Sequence, residues 1–224
     1  MMRSRTHACR VTRWAVLCAV SVALCAGCAS HGPAYAEGAT HGATTVVDST
    51  PGILVPAGYG TLRQDDISMQ IRLPSVLVRA TPLDESVIRL LSPDSYRAMR
   101  ALRDGQQGAV DRAAVQLGVN RPSLWYLSFF GLQPDSRYTA RDVDIMSGAH
   151  DFRPLDVLPL TAGFGSERVD QRQVQSAVYV FDNGIDLSQP LTITVDGVGG
   201  TSWTTVMRTI EQERALVRGR VGSR

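Results

Sequence analysis

The sequence predicts a mainly β protein, an antiparallel two-layer sandwich carrying a helical insertion and a C-terminal amphipathic helix. Three observations predict it. Apolar residues alternate with polar ones in several short runs, as half-buried strands require. Turn-forming Gly, Pro, Asn and Asp separate those runs. From Thr61 onward about 160 residues remain, enough for one core that removes roughly 68–70% of the unfolded surface.

The strands are taken first. Ile67, Met69, Ile71 and Leu73 alternate with Ser68, Gln70 and Arg72. Pro74 interrupts, and Val76, Val78 and Ala80 resume the rhythm, which suggests an edge or a bulge. Leu124–Leu132 (LWYLSFFGL) is apolar on both faces, as expected of a strand in the middle of a core. Val143 and Ile145 alternate with Asp142 and Asp144, and Phe152–Leu160 carries Pro154 and Pro159, as a short edge strand would. Val174–Phe181 is a strong strand ended by Asp182-Asn183-Gly184. The runs SAVYVFD and PLTITVDG lie a short loop apart and are expected to pair antiparallel.

Helix is expected in two places. Asp84–Val119 reads as an insertion between strands, with helical spacing over Asp94–Asp104 and again over Asp111–Leu117. Ser202–Arg218 begins on a capping serine and carries Trp203, Val206, Met207, Ile210 and Val217 as one stripe. Arg208, Glu211, Glu213 and Arg214 are assigned to the opposite, polar face. Such a helix is expected to pack on the sandwich and bury Trp203.

The first residues have a different logic. Met1–Arg13 holds Arg3, Arg5, Arg10 and Arg13 and no acid. Trp14–Ala26 is an apolar run of 13 residues, short of the roughly 20 that span a bilayer. Small residues follow, the order of a secretory signal peptide over residues 1–27. All four cysteines, Cys9, Cys18, Cys25 and Cys28, lie in or at the end of this leader. The rest of the chain therefore has neither a disulfide nor a cysteine metal site.

Cys25-Ala26-Gly27-Cys28 resembles the lipobox of bacterial lipoproteins. The resemblance implies that Cys28 receives diacylglycerol and becomes the first residue of the mature protein. Cys25 departs from the leucine usual there; the nearest leucine is Leu24. Ordinary cleavage near Ala29, or after Ala34-Tyr35-Ala36, is the rival and would leave a soluble periplasmic or secreted protein. With Ala29 next to Cys28, the resemblance implies outer-membrane sorting in a two-membrane bacterium. Two or three acyl chains anchor durably where one does not.

The expected organisation is a signal peptide at 1–27 and a lipid-bearing N-terminus and flexible tether at 28–60. A β-sandwich follows at 61–200, with its helical insertion at about 84–119, and a C-terminal helix at 201–224. The strand rhythm and the VYVFD…LTITV region are similar to the immunoglobulin-like domains of bacterial lipoproteins. That resemblance implies a fold, and such folds host many functions.

All 23 basic residues are arginine. Four of them lie in the leader, which leaves 19 against 21 acids, a balance of −2 for the mature chain. That balance gives no electrostatic footprint for nucleic acid. The expected partners are a membrane, through the lipid, and a protein of the envelope.

Candidate catalytic and metal residues are few. Beyond the leader and tether the one histidine is His150, in Ser147-Gly148-Ala149-His150-Asp151. A base, its orienting acid and a nucleophile need to converge from different elements, so a solvated turn is expected there. Asp182 and Asp186, and likewise Asp135, Asp142 and Asp144, offer oxygen ligands without the closing glutamate of a calcium loop, and a plain hairpin end is expected at 182–186. Gly163-Phe164-Gly165 and Gly197–Gly200 lack the strand–loop–helix spacing of a phosphate cradle. The latter precedes the C-terminal helix and is read as a connector. Trp125, Tyr126, Phe129 and Phe130 are read as core rather than as a sugar platform. No catalytic residue and no cofactor is assigned; the site residue is Cys28, for lipidation. An enzyme using carboxylates and a carbohydrate-binding module are the alternatives.

Overall fold

The computed structural model describes residues 54–222. The signal peptide expected at 1–27, Cys28 and the expected tether up to residue 53 lie outside the described residues. In chain order the strands before the first long connection are β1 (Met69–Arg72) and β2 (Val76–Pro82). Helices α1 (Glu85–Ile88) and α2 (Pro93–Leu117) follow. Then come β3 (Ser123–Gly131), β4 (Ser136–Arg137), β5 (Val143–Ser147), β6 (His150–Phe152) and β7 (Asp156–Pro159). The last elements are β8 (Arg168–Val169), β9 (Val174–Phe181), β10 (Leu191–Val195), β11 (Val198–Gly199) and α3 (Trp203–Gly222). The described residues are thus mainly β, and every pair of named strands is antiparallel.

A five-stranded sheet runs β1-β2-β3-β9-β7, a four-stranded sheet β11-β10-β5-β6, and β4 pairs with β8. The doubly apolar run Leu124–Leu132 supplies β3 at the centre of the larger sheet, and the proline-bearing β7 forms its edge. In register, Ala80, Leu127 and Ala177 form one row and Trp125 faces Tyr179 in the next. Period-two geometry places these rows on one face, and both larger sheets contribute to a single hydrophobic cluster. Val143, Ile145, Leu191, Ile193 and Val195 belong to it from the four-stranded side. Tyr179 links the two sides by donating its hydroxyl to the carbonyl of Ala140 at 2.5 Å.

The expected pairing of SAVYVFD with PLTITVDG does not occur. Both edges of β9 are taken, by β3 and β7, while β10 pairs with β5 and β11. Residues 182–190 therefore cross from one sheet to the other instead of closing a hairpin. The true hairpin is the next one: Val195 faces Val198 across Asp196-Gly197, with φ of 48° and 71°. Both central residues in the left-handed region make the tight turn whose twist suits a hairpin. Gly197–Gly200 is thus not a loose connector, since Val198–Gly199 is β11 and Thr201 bonds β1 through Gln70.

Helix α2 is one 25-residue element rather than two segments. Pro93 opens it at a position where no N–H is needed, and Gly118, at φ 69°, closes it by donating to Ala114 and Val115. It continues through Gly105 and Gly108, because burial of Met99, Val110 and Ala113 along its length outweighs the local glycine penalty.

Helix α3 buries Trp203, Val206, Ile210 and Val217 as its apolar stripe predicts. Trp203 meets Trp125 with ring centroids 6.1 Å apart, and its indole N–H donates to the Leu187 carbonyl at 3.1 Å. Glu213 is the correction. It lies on the packed face, with its side chain only 5% exposed. Its carboxylate accepts from Thr61 N–H at 2.9 Å, the Thr61 hydroxyl at 3.0 Å and Arg220 at 2.8 Å. Arg220 also donates to the Tyr59 carbonyl at 2.8 Å. Ordered packing begins upstream of Thr61: Val55 is in the core, and Gly60 lies against the backbone of Leu90.

Candidate functional site

The structure scatters the sequence-derived candidates. Ser147 and His150 face each other across the β5–β6 turn. The Ser147 hydroxyl accepts from the Asp186 N–H at 3.2 Å, whereas His150 and Asp151 point to solvent. Asp182 accepts from the N–H of Asn183 at 2.7 Å, and Asp186 accepts from the N–H and hydroxyl of Ser188 at 2.8 and 2.6 Å. These are local turn bonds in the sheet-to-sheet crossover. Asp135 pairs with Arg168 and Asp144 with Arg153, at 3.3 Å. Burial raises the Asp144 carboxyl above its ordinary range, Asp151 and Asp142 add to the effect, and Arg153 opposes it. Among the described residues no three His, Cys, Asp or Glu side chains stand together as a metal site. Trp125 and Phe129 are buried, and Tyr126 and Phe130 fall on the other face of β3, half-buried. Cys28 lies outside the described residues.

What the structure does bring together is a cleft of about 430 Å³, a size usual for small-ligand sites. It lies among α1, α3, the start of β3 and the crossover. Its apolar wall is Leu54, Val87, Ile185, Leu187 and Ile210. Its polar groups come from Asp84–Ser86, Arg103, Ser123, Asp186, Ser188, Glu211 and Arg214. A second, shallower groove of about 920 Å³ runs along the C-terminal half of α2 and shares Asp84 and Arg103 with the first.

The carboxylates of the cleft are all engaged. Asp84 caps α1, accepting from the N–H of Ser86 at 2.8 Å and from its hydroxyl at 2.5 Å. Glu85 takes Arg89 and Arg100 at 2.8 Å each. Asp186 is held by Ser188, and Glu211 pairs with Arg214 one helical turn on. Ser123 accepts from the indole of Trp125 at 3.2 Å.

The donors are less fully used. Arg103 reaches Glu85 only at 3.4 Å and is 32% exposed. Arg214 is 12% exposed; its terminal nitrogens go to Glu211 and, at 3.2 Å, to the Ser86 carbonyl. Its Nε is buried with no hydrogen-bond partner. A buried donor left unmade costs about 1–3 kcal/mol, so this atom marks a place where an acceptor is missing.

Sequence reasoning did not find this cleft, because its residues come from six separate segments and form no motif. The one local signal was the spacing of Glu211 and Arg214 on α3, three residues apart. No family model, curated protein or solved structure matches this chain. Its fold and site are therefore read from its own residues.

Proposed function

We propose that this chain is an exported, lipid-anchored cell-envelope protein whose folded body binds a protein partner. The observation that carries the reading is the leader: a basic start, a 13-residue apolar run and Ala26-Gly27-Cys28. Cys28 is the proposed lipid attachment site, with the outer membrane as destination in a two-membrane bacterium. No described helix is long and apolar enough to cross a membrane, so the lipid is the proposed means of attachment.

The body is proposed as an immunoglobulin-like two-layer sandwich, with α1 and α2 inserted between β2 and β3 and α3 packed on it. Two antiparallel sheets feeding one core support that reading. The binding role fits the cleft better than carboxylate catalysis does, because the cleft carboxylates are occupied by donors of the same chain. The test is membrane partition. Wild type is expected in the detergent phase with an acyl-modified amino terminus by intact mass. Cys28→Ser is expected in the aqueous phase or unprocessed. Unchanged partition of that variant would refute the anchor.

A further inference from the structure

We infer that the α1–α3 cleft receives the free carboxylate end of a partner polypeptide with apolar last residues. This deepens the binding reading above and rests on it. The inference comes from counting hydrogen-bond capacity. Asp84, Glu85, Asp186 and Glu211 each already accept from a neighbour within the chain. The capacity left over belongs to donors: Arg103, with its single long contact, and the buried Nε of Arg214. A ligand that completes this site brings acceptors, and a carboxylate matches the guanidinium fork with two parallel bonds.

The apolar wall narrows the class further. Val87, Ile185, Leu187 and Ile210 line the same space as the two arginines. The ligand must therefore present an apolar group within a bond or two of its carboxylate. The last residue of a peptide does this, since its side chain and its carboxylate share one carbon. An internal aspartate does not, because its own carboxylate is flanked by polar backbone. The continuation past Asp84 and Arg103 into the longer groove gives the preceding residues of an extended chain somewhere to lie.

Glu211 serves as the placeholder. It is 58% exposed and holds Arg214 while the cleft is empty. An incoming carboxylate displaces it, and the released guanidinium turns its Nε edge to the ligand.

The experiment uses the full-length protein in detergent, with arginine Nε–H resonances followed by NMR. The probe is an acetylated tripeptide ending in Val-Leu, supplied as the free acid and as the C-terminal amide. Saturable shifts at Arg103 and Arg214 are expected with the acid, at least about tenfold weaker with the amide. Arg214→Lys keeps the charge but loses the fork, and is expected to weaken the acid about tenfold. Glu211→Gln removes the competitor and is expected to tighten it. Equal response to acid and amide, equal response to hexanoate, or no tightening in Glu211→Gln would overturn the assignment. Any of those results, with Cys28-dependent membrane partition intact, removes the ligand class and leaves the envelope reading standing.

Discussion

The carboxylate of Glu213, near the end of the chain, accepts both the N–H and the hydroxyl of Thr61, near the start of the described body, at 2.9 and 3.0 Å. Arg220 closes the group from the next turns of the helix. Removing the acid strands three donors, two of them on one residue. Glu213→Ala is expected to cost about 3 kcal/mol, and Glu213→Gln less, since an amide oxygen still accepts. Urea unfolding midpoints check this; a Glu213→Ala midpoint equal to wild type would show that the clamp holds nothing.

Gly60 makes a second expectation. A Cβ built there would lie 2.0 Å from the Leu90 carbonyl oxygen. Leu62 N–H donates to that same carbonyl at 3.2 Å, so the backbone cannot retreat without breaking the bond. Gly60→Ala is expected to destabilise by about 3 kcal/mol, the upper part of the overpacking range. Thermal unfolding measures it.

The glycines inside α2 work in the other direction. Nothing lies within 4 Å of a Cβ at Gly105 or Gly108. Replacing each by alanine is expected to stabilise by about 1 kcal/mol, through helix propensity and loss of unfolded-state freedom. No gain from the double variant would mean that the helix is not continuous there.

Stability is expected to fall in alkali. Burial, with the nearby Glu167 carboxylate adding to it, pushes the Tyr138 hydroxyl up to about 12. Burial raises Tyr179 further still. The unfolded chain loses these protons near the ordinary tyrosine value of about 10, while the folded chain keeps them. Between those values the unfolded state binds fewer protons, so stability decreases as pH rises. Tyr138→Phe is expected to flatten that decline, read from urea midpoints between about pH 9 and about pH 11.

Asp144 gives the acid-side counterpart. Its carboxyl is raised, so the charged form costs the folded state something above its own titration range, and the cost disappears as pH falls through the ordinary carboxylate range. Asp144→Asn is expected to raise the unfolding temperature at neutral pH and to lose that advantage in acid. An advantage that persists unchanged in acid would place the effect elsewhere.

Much of the fold is legible in the residues because strand periodicity is local. Leu124–Leu132 declares a central strand by being apolar on both faces, and Trp203 to Val217 declares a packed helix by its stripe. Partner choice is not local. Val174–Phe181 and Leu191–Val195 look like a hairpin, yet each finds its neighbours far away in the chain. Glu213 shows the same limit at the level of a side chain. An acid on a helix reads as solvent-facing until Thr61 and Arg220 arrive from elsewhere to satisfy it. The cleft was invisible for the same reason, since Arg103, Ser123 and Arg214 converge only after folding.

The strap from Val55 to Leu62 also decides where mechanical load enters. A pull applied toward the amino-terminal side reaches the Tyr59–Arg220 and Thr61–Glu213 fastenings before it reaches any strand. The last helix, rather than the sheets, is the first part of the body to bear tension, so the two ends of the described chain yield or hold as one joint.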